Sequence, residues 1–430
     1  MYWDRRIETM ERSALERLQL QRLRTTLRRV EKTVPFYQQK FKELGIASRD
    51  VRTLEDVRRL PFTTGADLRA SYPKGLVAVP ASRLLRLHTS SGTTGKPKAL
   101  FFSRADVDNA AELMARCLTM AGVTANDILQ NMMTYGLFTG ALVMHYGAEK
   151  VGAMVIPAGP GNSEKQLLLM QDFRSTVLHI TPSYALYFAA FLQSKGIDPR
   201  RDLAIRRAFV GAEPYTEETR RKIEKALGVQ VFNSYGLSEM NGPGVAFECE
   251  RQDGMHLWED NFLMEIVDPV TGEPLPDGRK GELVLTTLRR EAMPILRYRT
   301  RDITSILAKP CPCGRTHRRL SRITGRTDDM LIVRGVNIYP QQIEQVLMGI
   351  PQVGSNYLIQ LEGLDEMTVK VELAEGSFDG KVERLVALQD EIAARLRAEI
   401  LTKPRVELVP PGSLPVSEGK ARRVVDHRKL

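Results

Sequence analysis

Eight residues, Ser90-Ser91-Gly92-Thr93-Thr94-Gly95-Lys96-Pro97, have the types that hold an anion. Gly92 and Gly95 allow positive φ and close approach, the hydroxyls of Ser90, Ser91, Thr93 and Thr94 donate hydrogen bonds, and Lys96 adds charge. A phosphate is the expected guest. The segment is not the common phosphate loop, which needs Ser or Thr straight after Gly-Lys, whereas Pro97 stands there and stops a helix. A flexible polar connection is the plain alternative. It is disfavoured because hydroxyls, spaced glycines and a lysine coincide directly after the apolar run Leu84 to Leu87.

A second segment, Asn233-Ser234-Tyr235-Gly236-Leu237-Ser238-Glu239, follows an expected strand. Tyr235 offers a face for a base, Ser238 a hydroxyl for a phosphate oxygen, and Glu239 a carboxylate for Mg2+. Taken alone it reads as a strand ending in a turn. A third group is Cys249, His256, Cys311 and Cys313, three thiols and an imidazole that suit a closed, structural tetrahedral zinc site. Zinc is preferred over three reduced cysteines and a histidine with no joint role, and His317 is a competing ligand.

These residues need a scaffold, and 430 residues exceed what one domain usually holds. Apolar residues at 43 % and charged residues at 27 % are ordinary for a globular protein. A formal charge of +10 suits nucleic acid and equally a polyanionic small molecule, and no nucleic-acid motif accompanies it. No secretory signal or membrane span is expected, so the cytoplasm is the default address. Four cysteines do not make a disulfide framework in so long a chain.

Residues 5 to 45 predict an N-terminal helical hairpin, with a basic nucleic-acid arm as the weaker alternative. From about 84 to 235 strands alternate with helices. Strands are expected at 84–87, 127–132, 153–156, 177–180, 207–210 and 229–233, and helices at 106–121, 163–173, 182–194 and 216–227. Such alternation implies an α/β domain with a parallel sheet covered by helices, which puts the Ser90 loop at the carboxyl end of a strand, where ligands bind. A β-rich subdomain is expected at about 245–326, and a compact α+β domain over 327–430.

Together with Gly211-Ala212-Glu213-Pro214, Tyr298-Arg299-Thr300-Arg301-Asp302, Gly325-Arg326-Thr327-Asp328-Asp329, Arg334-Gly335-Val336-Asn337-Ile338-Tyr339-Pro340 and Gly419-Lys420, these segments resemble the adenylate-forming superfamily of acyl-CoA synthetases. The likeness is closest to phenylacetate-CoA ligases, through Tyr135-Gly136-Leu137-Phe138-Thr139-Gly140, His145-Tyr146-Gly147-Ala148-Glu149 and Gly254 to Asp260. It runs from the N-terminal helices to the terminus.

The resemblance implies a two-step reaction: carboxylate and ATP give acyl-adenylate and pyrophosphate, and coenzyme A then displaces AMP. It implies that Ser90 to Lys96 embrace the β- and γ-phosphates and that Glu239 helps hold Mg2+. Glu213, Pro214 and Tyr235 would border the adenine, Asp302 would accept from the ribose hydroxyls, and Asn233, Gly236, Ser238 and Arg326 complete the nucleotide set. An ion pair with Arg299 or Arg301 is the plain alternative for Asp302. Lys420 would reach the acyl carboxylate and α-phosphate. The mobile C-terminal domain, 327–430, would turn about a hinge at Asp328 and present Arg334 and Gly335 to coenzyme A. Tyr135, Gly136, Phe138 and Gly140 would line the pocket of a small aryl acid, phenylacetate first, although any one of them could be ordinary core. AMP transfer to a deazaflavin is the alternative chemistry, and a zinc-containing nucleic-acid-binding protein is a reading from another class. The expected partners are small molecules, with no nucleic acid or membrane, and a homodimer is one assembly open to the chain.

Overall fold

The computed structural model describes residues 1–89, 97–334, 336–362, 366–377, 382–415, 421 and 423–428. Ser90 to Lys96, Gly335 and Lys420 therefore lie outside the described residues. The chain divides into two compact units, Met1–Gly159 with Thr176–His179 and Phe232–Ile323, and Pro160–Ser175 with Ile180–Val231 and Thr324–Leu430.

The first unit begins with the expected helical hairpin, Arg12–Thr33 and Pro35–Leu44. Leu15, Leu23, Leu27 and Val30 recur at helical spacing and are fully buried, which anchors one face. Charge also ties the helix down: Arg12 pairs with Glu259 at 2.8 Å and Arg22 with Asp260 at 3.3 Å. Arg12 and Arg22 of this hairpin thus serve packing.

Arg86–Thr89 and Ala99–Phe102 form an antiparallel two-stranded sheet in which Thr89 lies opposite Ala99. This corrects two expectations. The strand starts two residues later than 84, and the Ser90 segment connects the strands of a hairpin rather than leaving a parallel strand. Parallel pairing does occur where Ile128–Asn131 lies between Met154–Ile156 and Val177–Ile180. Helix Arg104–Met120 starts with a Ser103/Asp106 capping box and packs on helix Thr139–Val151. The contact is close, for a Cβ on Gly147 would fall within 2.4 Å of the Met114 side chain.

Strand Gln230–Leu237 runs four residues beyond its expected end and so includes Tyr235. It pairs antiparallel with Gly242–Glu248, which pairs with Met255–Leu257. Phe262–Val267, Gly281–Thr287 and Tyr298–Thr304 form a second antiparallel run, the expected β-rich region.

The second unit carries helices Ser163–Phe173, Pro182–Ser194 and Glu217–Leu227. Thr181 caps the second of these, with Pro182 in its first turn. Thr216 caps the third, and Gly228 at φ 68° ends it. The C-terminal part holds a four-stranded sheet in the order Arg405–Val409, Glu366–Leu373, Val353–Glu362, Val424–Asp426, antiparallel at its centre and parallel at both edges. Helices Pro340–Met348 and Val382–Ile400 cover it around a core that includes Ile343, Leu347, Ile359, Val369, Ile392 and Leu396. This is the α+β arrangement expected of the last hundred residues.

Candidate functional site

Glu239 stands in a single 3-10 turn, Ser238–Met240, which follows the long strand and ends at Asn241 with φ 77°. Its buried carboxylate accepts from Lys98 Nζ and, at 2.8 Å, from Tyr298 Oη, both on Oε1. Burial alone would raise this acid; the Lys98 charge and hydrogen bonds outweigh burial and hold it below the usual range. Lys98 directly follows the anion segment and lies 141 residues from Glu239. Arg290, fully buried, donates to the backbone carbonyl of Glu239 and lies 4.5 Å above the Phe102 ring. Burial pushes its guanidinium down to about 10. The turn that presents Glu239 is thus gripped from behind by a cation. Neither Lys98 nor Arg290 was singled out by sequence.

Ser238 shares a hydrogen bond of 2.9 Å with Thr139. Tyr235 donates from Oη to Asp302 Oδ2 at 2.6 Å. Arg299 pairs instead with Glu282 at 2.5 Å, and Arg301 lies 3.9 Å from the same carboxylate, so the ion-pair alternative for Asp302 is not the arrangement seen. At Gly236 a Cβ would lie 2.3 Å from the carbonyl oxygen of Gly242. That close approach of neighbouring strands is reason enough for glycine there.

Tyr135 is fixed at its hydroxyl, which accepts from Asn131 Nδ2 at 2.8 Å and lies 3.1 Å from His145 Nδ1. Desolvation raises it to about 12, so it is a neutral phenol. Asn131 in turn bonds His179 at 2.9 Å, whose imidazole burial pushes down to about 3. Leu137 and Phe138 are 57 % and 43 % exposed, and a Cβ on Gly136 or Gly140 would meet nothing within 4 Å. The stretch is therefore an open, uncharged wall with one anchored aromatic ring, in which Gly136 and Phe138 are exposed and Thr139 is buried.

In the second unit, Glu213 accepts from Ser183 Oγ at 2.9 Å, from Ser183 N–H at 3.2 Å and from Ala421 N–H at 2.6 Å. Pro214 is the next residue. Arg326 makes a two-point pair with Asp328 at 3.0 and 3.1 Å. Arg334 is exposed with φ 51°.

The donor atoms of Cys249, His256, Cys311 and Cys313 all lie within 4.8 Å of one another. Cys249 Sγ and Cys311 Sγ are 3.7 Å apart, and Cys313 Sγ is 3.3 Å from His256 Nε2. Sulfurs in a disulfide lie about 2.05 Å apart, whereas two thiolates on one tetrahedral zinc lie about 3.8 Å apart. His256 Nδ1 meets the carbonyl of His317 at 3.2 Å, which turns Nε2 toward the thiols. His317 is not a competing ligand here. Its Nδ1 accepts from Glu259 N–H at 3.0 Å, leaving Nε2–H to donate to the carbonyl of Ile7 at 3.0 Å. The four donors could hold a tetrahedral cation. Hydrogen bonding from Cys249, then the His256 contact, lower Cys313 to about 2 despite its burial, while the same hydrogen bond and burial raise Cys249.

Residues 14–288 match the family model described as AMP-binding enzyme, and 335–428 match that described as AMP-binding enzyme C-terminal domain. The chain is 47 % identical to a phenylacetate-coenzyme A ligase of Thermus thermophilus, covering 100 % of both chains. It is 43 % identical to one of Escherichia coli, covering 99 % of this chain and 97 % of the other. A crystal structure of 2-hydroxyisobutyryl-CoA ligase in the postadenylation state, complexed with R3-HIB-AMP, is similar with a TM-score of 0.94 and 30 % identity, over 99 % of this chain and 92 % of that one.

Proposed function

Because the chain belongs to the phenylacetate-CoA ligase family of adenylate-forming enzymes, we propose that the acid it activates is a small aryl acid of the phenylacetate class. The reaction itself has two steps. The carboxylate attacks the α-phosphorus of ATP and pyrophosphate leaves; the thiol of coenzyme A then attacks the acyl carbon and AMP leaves with the electron pair of the broken C–O bond. The first step brings two anions together, so positioning and charge neutralisation dominate its barrier.

In this reading Ser90 to Lys96 hold the leaving pyrophosphate, and Lys420 lies between carboxylate and α-phosphate. Glu213, Pro214, Asn233, Tyr235, Gly236, Ser238 and Arg326 frame the nucleotide. Asp302 receives the ribose hydroxyls, a role suited to an ionised carboxylate. Glu239 would hold Mg2+ through Oε2, since Oε1 receives Lys98 and Tyr298, and the ion would neutralise phosphate charge. Residues 327–430 form the mobile domain with its hinge at Asp328, and Arg334 and Gly335 face coenzyme A. Cys249, His256, Cys311 and Cys313 carry a structural zinc, supported by the 3.7 Å sulfur separation. A homodimer in the cytoplasm without nucleic acid completes the reading; no helix among the described residues is long and apolar enough to cross a membrane.

The aryl assignment rests on the wall at 135–140, where an anchored Tyr135 stands beside two glycines whose missing side chains leave open space. Pyrophosphate release with and without coenzyme A, measured over a panel of acids, tests it. Phenylacetate is expected to exceed propionate at least about tenfold in kcat/KM, the discrimination a few buried methylenes supply. A short aliphatic acid as the best substrate would overturn the assignment.

A further inference from the structure

Glu344 is a buried carboxylate with no place in the roles above. It sits on helix Pro340–Met348, and one of its oxygens reaches a segment outside the C-terminal sheet and its helices. Oε1 accepts from Thr216 N–H at 3.2 Å and from Thr219 Oγ–H at 2.5 Å, the N-cap and a first-turn residue of helix Glu217–Leu227. A helix start has unpaired N–H groups and favours negative charge, so a carboxylate from another segment is well received there. One turn along the same helix, Lys222 Nζ donates to the carbonyl of Val353 at 3.2 Å. Burial lowers this lysine to about 8 and raises Glu344, so both groups are desolvated by the contact.

The other oxygen of Glu344 leads to the tail. Tyr357 Oη donates to Oε2 at 3.2 Å, and the Arg423 guanidinium lies 4.6 Å over the Tyr357 ring. Arg423 also bonds the Asn356 side chain, and two residues earlier Ala421 N–H is held by Glu213 at 2.6 Å. Thr219, Glu344, Tyr357 and Arg423 thus form one continuous line from the start of a helix to the chain on the C-terminal side of Lys420.

Resting on the two-step reading above, we propose that Glu344 is a positioning residue for the first half-reaction, a latch on the start of helix Glu217–Leu227 that seats the segment carrying Lys420 for adenylation. It touches no substrate. Its partners Thr216 and Thr219 lie outside residues 327–430 and Tyr357 within them, so in the reading above the latch closes for adenylation and opens when that domain turns. The second half-reaction does not need it.

The test separates the half-reactions. Acid-dependent exchange of labelled pyrophosphate into ATP reads the first, and thioester formation from preformed acyl-adenylate and coenzyme A reads the second. Glu344→Ala is expected to lower exchange kcat about tenfold or more, as loss of a charged hydrogen-bond set does, with KM for acid and ATP within about twofold. Thioester formation stays within about twofold of wild type, which also shows that the variant is folded. Glu344→Gln, which keeps an acceptor, recovers most of the exchange rate, and Thr219→Val reproduces the loss from the other side. Equal loss in both half-reactions, a loss carried by KM, or no loss would overturn the latch. A wild-type enzyme whose exchange ignores every acid would overturn the functional reading, and the latch with it.

Discussion

Lys98→Met removes the cation from Glu239 and leaves the methylene stem in place. The carboxylate is 6 % exposed and keeps one donor, Tyr298 Oη at 2.8 Å, while the lysine side chain is 19 % exposed. Breaking a buried pair costs about 3–5 kcal/mol. The remaining Tyr298 bond and the partial water access of Lys98 reduce this to about 2–3 kcal/mol at pH 7.5. The sign of the pH dependence follows from Glu239. In the wild type its folded value is lowered, so its stabilisation is full above the unfolded range, about 4.3, and is lost as pH falls through the folded value. In the variant the desolvation that already opposes ionisation is no longer outweighed, the folded value rises above about 4.3, and the penalty grows with pH. The stability gap should therefore widen between pH 4.5 and 7.5, with a slope of at most about 1.4 kcal/mol per pH unit. Urea unfolding followed by tryptophan fluorescence measures it, because Trp3 and Trp258, the chain's two tryptophans, both lie in the first unit. Repeating Lys98→Met in a Glu239→Gln background should shrink the cost below about 1 kcal/mol. A gap equal at both pH values, or unchanged by Glu239→Gln, would refute the ion-pair account.

Two further outcomes follow from the same residues. Protein purified without added zinc is expected to carry about one equivalent, and Cys311→Ser to lower this below half with a fall in thermal midpoint, since structural zinc supplies folding free energy directly; metal analysis and calorimetry check it, and full-length protein with no zinc and an unchanged midpoint would refute it. Lys420→Ala is expected to abolish acid-dependent pyrophosphate exchange yet spare thioester formation from preformed acyl-adenylate; equal loss in both would remove Lys420 from the first step.

Much of the fold was legible because its helices carry their own start signals. Thr181-Pro182, Thr216 and the Ser103/Asp106 box mark beginnings that the structure keeps within two residues. The helix Thr139–Val151 was missed for the converse reason. Phe138 stands at its N-cap position with no side-chain cap bond, and Gly140 and Gly147 lower its propensity. It forms because Gly147 lets it press against Met114, a tertiary contact that no local pattern announces. The strand expected at 84–87 failed differently. Leu85 and Leu87 are 45 % and 44 % exposed, so the apolar run that suggested a buried strand lies on an open hairpin.

The site shows a sharper division. Motif residues with intrinsic chemistry were legible: Glu239, Asp302 and Glu213 are carboxylates in recognisable settings. The groups that determine how those carboxylates behave were not. Lys98 comes from 141 residues away and stands just before strand Ala99–Phe102, Tyr235 meets Asp302 across 67 residues, and Glu213 takes its donors from Ser183 and Ala421. Glu344 was invisible for the same reason, for its neighbours in sequence are those of an ordinary amphipathic helix, and only the fold brings Thr216 and Thr219 to it. A carboxylate's protonation and orientation are set by atoms within about 4–6 Å, and those atoms arrive by long-range packing. Glu239 makes the point physically. Its burial favours the neutral acid, and one lysine reverses that preference, so replacing Lys98 alters the chemistry of the motif without altering any of its residues.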